Sequence, residues 1–95
     1  MIITIEQYED YIVKGAIINR VLYGGDHLIE VLDYPFDYTM MDGRIFKRFK
    51  YKSISSDYEG EYFVSDLFRG DRVEILNPDI VGPNVFRISQ EEFEV

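Results

Sequence analysis

The chain has 95 residues, no cysteine, no tryptophan, 46% hydrophobic and 16% aromatic content, and a formal net charge of −8. Without cysteine there is no disulfide, no Cys-ligated zinc or iron–sulfur centre and no thiol nucleophile, so packing has to hold the fold and a cytoplasmic setting suits it. No apolar run approaches the roughly 20 residues of a membrane span, and the N-terminus MIITIEQYEDY carries no basic leader.

Fifteen Phe and Tyr residues can fill one core, each burying roughly 150–250 Å². One domain over residues 1–95 is therefore expected, with an N-terminal segment 1–15, a β-rich core 16–88 and an acidic tail or helix turn 89–95. In chain order, Thr4 followed by Gln7 is a capping-box pattern, and Ile5, Tyr8, Tyr11 and Ile12 share one face at helical spacing. Gly15 is the natural stop, which predicts a helix of about three turns.

The β-like runs Ala16–Tyr23 and His27–Leu32 flank Gly24-Gly25-Asp26, which predicts a hairpin. Pro35 then limits the next strand, Phe36–Met41, to beginning beside it or running along an edge. Asp42-Gly43 is a two-residue hairpin signal joining that strand to Arg44–Ile54. Ser56–Gly60 reads as a looser turn, Glu61–Phe68 as a strand, and Asn77-Pro78-Asp79 with Gly82-Pro83-Asn84 as loop chemistry before a last strand, Val85–Ile88. Ser89-Gln90-Glu91-Glu92 repeats the capping-box pattern. Gly70-Asp71-Arg72-Val73-Glu74-Ile75 resembles the turn-plus-strand opening of SH3-like and other small β-barrels; the resemblance spans six residues and implies a barrel-like roll but no function. The expected fold class is α+β: an N-terminal helix packed on a bent, mainly antiparallel sheet or small open β-barrel of about five to seven strands.

The charge is uneven: residues 1–43 sum to −6, residues 44–52 to +5 and residues 53–95 to −7. In the strip RIFKRFKYK, strand alternation sends Arg44, Phe46, Arg48, Lys50 and Lys52 to one face and Ile45, Lys47, Phe49, Tyr51 and Ser53 to the other. A two-residue Asp42-Gly43 turn would set Phe36 against Phe49, Tyr38 against Lys47, Met40 against Ile45 and Asp37 against Arg48, with Asp33 reaching Lys52 if pairing passes Pro35. Cross-strand ion pairs of that kind make the strip an ordinary solvated face. The functional alternative is a nucleotide or single-stranded nucleic-acid site on Arg44, Phe46, Arg48 and Lys50, across a homo-oligomer interface. Duplex DNA fits poorly with the surrounding acidity.

Catalytic signatures are sparse. The chain contains no Walker loop, no G-x-G-x-x-G, no H-E-x-x-H and no G-x-S-x-G. His27 is the only histidine, the one side chain suited to proton shuttling near neutrality, so an enzyme reading would rest on it. In a strand, His27 and Glu30 point to opposite faces, which argues against a metal site there, and no cofactor is expected. The acids Glu6, Glu9 and Asp10, then Glu59 and Glu61 beside Tyr58, then Glu91 and Glu92, could instead present a DNA-mimic-like surface to a basic groove of a larger protein. The reading these features favour is a non-catalytic, acidic binding protein that blocks or adapts a larger protein partner; an origin in a phage or mobile element is an expectation from this type of protein and not from its residues.

Overall fold

The computed structural model describes residues 1–83. The expected strand Val85–Ile88 and the capping box at Ser89, with Glu91 and Glu92, lie outside the described residues. The elements are β1 (Ile2–Ile3), α1 (Tyr8–Tyr11) entered through a 3₁₀ turn at Ile5–Gln7, β2 (Ile17–Leu22), β3 (Gly25–Val31), β4 (Phe36–Thr39), β5 (Ile45–Ser53), β6 (Glu59–Phe63), α2 (Val64–Leu67), β7 (Arg72–Ile75) and α3 (Pro78–Val81). No helix among these is long and apolar enough to cross a membrane.

The strands form one open sheet of seven strands, and every pairing in it is antiparallel. Its order runs β1-β7-β2-β3-β5, with β6 on the far side of β5. Arg48 pairs with both Phe36 and Phe63, while Tyr51 pairs with both Val31 and Gly60. β3 and β4 therefore share one edge of β5 and are separated by the break at Leu32–Pro35, as the proline requires. β7 returns beside β2 after the chain leaves β6 through α2, so the GDRVEI segment carries a strand that lies between β1 and β2.

Alternation puts Ile18, Ile29, Val31, Phe49, Tyr51, Val73 and Ile75 on one side of the sheet, and all of them are buried. Ile3, Tyr11, Ile12, Val64 and Leu67 join the same cluster, with Val81 of α3 packed against it. All three helices thus lie on this inner side. The fully buried Phe, Ile and Leu side chains each contribute roughly 1.5–3 kcal/mol of burial free energy.

The first helix departs from expectation. The Thr4 N–H donates to Gln7 Oε1 at 2.9 Å, as the capping box requires, but the helix proper spans four residues and is preceded by a strand. Its continuation is taken by the sheet: the Gly15 N–H donates to the Val31 carbonyl and the Val31 N–H to the Ala16 carbonyl, both at 2.9 Å. Ile12 and Val13 are β-branched and hold a helix weakly against that competition. Gly15, at φ +93°, ends a loop rather than a three-turn helix.

The second correction is one of register. Asp42-Gly43 makes a three-residue loop in place of a two-residue turn: the Met40 N–H donates to the Arg44 carbonyl at 2.8 Å and the Gly43 N–H to the Met40 carbonyl at 3.0 Å. Gly43 alone takes positive φ, at +87°, and Asp42 Oδ1 accepts from the Arg44 N–H at 3.1 Å, the geometry of a type I turn closed by a glycine bulge. Phe36 consequently faces Arg48, Asp37 faces Lys47 and Tyr38 faces Phe46. Lys52 faces Glu30 and not Asp33.

Two further segments differ. The expected strand Glu61–Phe68 is β6 followed by α2, because pairing with β5 ends at Phe63–Arg48 and the three-residue spacing of Val64 and Leu67 buries both in one helical turn. Asn77-Pro78-Asp79 opens a helical turn rather than a loop, with Pro78 at its start, where a missing N–H costs nothing.

Gly70 sits where a Cβ would lie 2.7 Å from the Val21 carbonyl oxygen and 2.8 Å from Leu22 Cδ2, whereas a Cβ at Gly25 meets nothing within 4 Å. Gly70→Ala is expected to lower stability in urea unfolding by about 1–3 kcal/mol, the range for overpacking, and Gly25→Ala by less than about 1 kcal/mol.

Candidate functional site

The one-residue shift in register decides what the basic strip becomes. Tyr38, facing Phe46, comes to the outward side of the sheet with Arg48, and Phe63 of β6 arrives there from the other edge. The Arg48 guanidinium lies 4.9 Å from the Tyr38 ring centroid and 4.7 Å from that of Phe63. The two rings meet edge to face at 5.6 Å, and Phe46 meets Phe63 at 6.1 Å with Arg44 above it at 5.5 Å. A guanidinium set against two rings that meet nearly at right angles is a favourable arrangement, worth roughly 0.5–2 kcal/mol per contact according to its desolvation.

The cations of the strip are largely answered by carboxylates. Arg44 pairs with Asp42 and Lys47 with Asp37, each at 2.6 Å; Arg48 reaches Glu61 at 3.5 Å and Lys52 reaches Asp57 at 3.4 Å. The Arg48–Glu61 contact is electrostatic rather than a hydrogen bond, since the shielded Nε has no acceptor in bonding geometry. Lys50 is exposed and, among the described residues, has no carboxylate within 4 Å. Of the four residues expected to hold a ligand, Arg44, Phe46 and Arg48 are gathered into the aromatic cluster, and Lys50 stands beyond it along the strand.

Beside Phe46 the surface dips into a shallow depression of about 340 Å³ lined by Arg44, Phe46, Phe63, Ser65, Asp66 and Arg69. Glu9 lines a separate hollow with Tyr8 and Lys47, on the inner side of β5 next to α1. Glu59 and Glu61 lie on β6, opposite Lys52 and Lys50, and Tyr58 is exposed just before them.

A second grouping faces inward. Arg20 of β2 and His27 of β3 are direct cross-strand partners on the core side. His27 Nδ1 is 3.2 Å from the Tyr62 hydroxyl and Nε2 is 3.4 Å from Ser53 Oγ, which in turn lies 3.4 Å from Ser55 Oγ. Tyr51 stacks on Tyr62 at 4.4 Å. None of this is visible in a local stretch of sequence, because the residues come from β2, β3, β5 and β6. His27 and Glu30 do point to opposite faces, and among the described residues no group of three His, Cys, Asp or Glu side chains could hold a metal ion. Comparison with protein-family models, with curated proteins and with solved structures gives no match.

Two outcomes follow from these contacts. Arg48→Lys keeps the charge but loses the flat guanidinium's contact with the two rings, and should cost about 1 kcal/mol in urea unfolding, while Lys50→Ala should stay within about 0.5 kcal/mol of wild type. Burial pushes the Tyr51 phenol above its ordinary value, with Tyr62 adding to the effect. A raised phenol stabilises the fold fully below the unfolded value of about 10 and loses that contribution as pH rises through the folded value. Stability should therefore fall in alkali above about pH 10, and the fall should be shallower in Tyr51→Phe, as followed by denaturation at stepped pH.

Proposed function

We propose that this chain is a non-catalytic binding protein that engages a larger protein partner through the outward side of β4, β5 and β6. The observation that carries this reading is the Arg48 guanidinium set against the rings of Tyr38 and Phe63 on the outward side of the sheet, with Ser65 and Asp66 of α2 flanking Phe46 at its margin. Tyr and Arg are enriched in binding hot spots; Tyr brings large contact area at low entropy cost, and Arg48 is already ordered against its two rings. Around this centre, Lys50, Lys52, Glu59 and Glu61 form a rim of both signs, suited to registering a partner.

In this reading the acids serve as a rim and as solubilising charge, in place of a single DNA-like stripe. The size, acidity and missing catalytic motifs suit a cytoplasmic accessory or inhibitor protein of a phage or other mobile element. The depression beside Phe46 favours one second reading, a nucleotide held by stacking on Phe46 with Arg44 and Arg69 toward its phosphates. Its volume is at the low end of small-molecule sites, and both arginines already have carboxylate partners.

Affinity capture from host lysate separates these readings when wild type is run beside two surface variants, Tyr38→Ser/Lys50→Glu and Glu6→Gln/Glu9→Gln/Asp10→Asn. A stoichiometric protein partner lost at least about tenfold by the first variant, as expected for removal of a hot spot, and kept by the second is the expected result. Loss by the second variant alone would transfer the interface to the helix acids. A nucleotide that copurifies with wild type and is lost on Phe46→Ala would favour the second reading.

A further inference from the structure

By strand alternation Arg20 belongs to the inner side of β2, between Ile18 and Leu22, where a guanidinium is costly unless its charge is answered. It is partly buried, its Nη2 donates to the Asp66 carbonyl oxygen at 2.8 Å, and its guanidinium carbon lies 5.2 Å from the Tyr62 ring centroid. These contacts satisfy part of it. Its Nε is shielded from solvent and has no acceptor. The Asp66 carboxylate is turned away to Arg69 at 3.2 Å, and among the described residues no carboxylate lies within 4 Å of Arg20.

The groups facing Arg20 supply donors and no negative charge. Tyr62, His27, Ser53 and Ser55 form a chain of hydrogen bonds that admits two proton arrangements. In one, the Tyr62 hydroxyl donates to His27 Nδ1. In the other, His27 Nδ1–H donates to the Tyr62 oxygen, Ser53 donates to Nε2, and the Tyr62 O–H is released to donate elsewhere. The second arrangement leaves two donors, Arg20 Nε–H and Tyr62 O–H, in a cluster with one permanent positive charge. Arg20, His27 and Tyr62 all keep partial solvent access.

We propose that this inward cluster binds a small oxyanion group, a phosphate or a carboxylate, which accepts from Arg20 and from the Tyr62 hydroxyl while the His27–Ser53 hydrogen bond holds the tyrosine in its donating state. Charge-assisted donors of this kind recognise planar and tetrahedral oxyanions in preference to halides. The site is separate from the outward protein-binding side and does not depend on that reading.

Because His27 is the only histidine, its imidazole signals in the NMR spectrum report the cluster without ambiguity. The full chain is titrated with inorganic phosphate, with acetate and with chloride, at fixed pH and ionic strength. The expected result is a saturable shift with phosphate or with acetate, and none with chloride; the responding anion identifies the source of the ligand group. Arg20→Lys should weaken binding at least about tenfold by losing the fork of donors, Tyr62→Phe about fivefold or more by losing one hydroxyl, and Lys50→Glu should bind as wild type. Arg20→Gln is included where its amide spectrum remains dispersed; the lysine and phenylalanine variants decide the matter if it does not. Shifts that stay linear, that chloride reproduces, or that persist undiminished in both Arg20→Lys and Tyr62→Phe would overturn the proposal.

Discussion

A strand hydrogen-bonded on both edges leaves its side chains no choice of face, and β5 is that strand here. Arg48, Tyr51 and Lys52 each have Cα partners on two sides, so the strand from Arg48 to Lys52 has little freedom to slip, while Ile45–Lys47 pair with β4 alone. Phe49, Tyr51 and Ser53 are thereby committed to the core, and Arg48, Lys50 and Lys52 to the opposite side. The basic strip is thus the outward remainder of the strand that carries the centre of the core. It is held in place by burial energy that a surface loop would lack, and this makes its outward side a rigid platform.

Much of that architecture is legible in the residues themselves. The Thr4–Gln7 cap, the break at Pro35, the turns at Gly24 and Gly43 and the two faces of β5 all follow from side-chain chemistry and alternation. What escapes is whatever depends on competition between elements. Asp42-Gly43 announces a turn, but a two-residue and a three-residue loop both need glycine at positive φ and differ only in whether Asp42 takes it too. One residue of difference moves Tyr38 from the core side to the side of Arg48. Likewise the N-terminal helix has a sound cap and a sound apolar face, and it is short because Gly15 and Ala16 bond to Val31, a partner its own sequence does not contain.

The candidate site divides along the same line. Arg44, Phe46, Arg48 and Lys50 are found by counting residues along one strand, whereas Tyr38 and Phe63 are recruited by register. The inward group of Arg20, His27, Ser53 and Tyr62 requires four strands to be placed before any two of its members meet. Local rules recover one row of a site; pairing supplies the neighbouring rows, and it is the neighbours that settle what the row can do.

Electrostatics completes the argument. A run of five cations in nine residues looks like a field, but Asp37, Asp42, Asp57 and Glu61 stand within 4 Å of four of them. At distances beyond the physiological screening length of about 8 Å, those pairs act as dipoles and the approaching molecule meets the net acidity of the rest. Long-range steering of a polyanion to this strip is therefore weak, and any binding there depends on contact: stacking and displaced water at Arg48 and its two rings. Arg20 presents the converse case. It too lies over an aromatic ring, yet no carboxylate answers it among the described residues, so its charge is available to a small anion that approaches within hydrogen-bonding distance. The two arginines share one chemistry and differ in the acids placed around them, and on that difference rest the proposed surface contact at Arg48 and the proposed anion capture at Arg20.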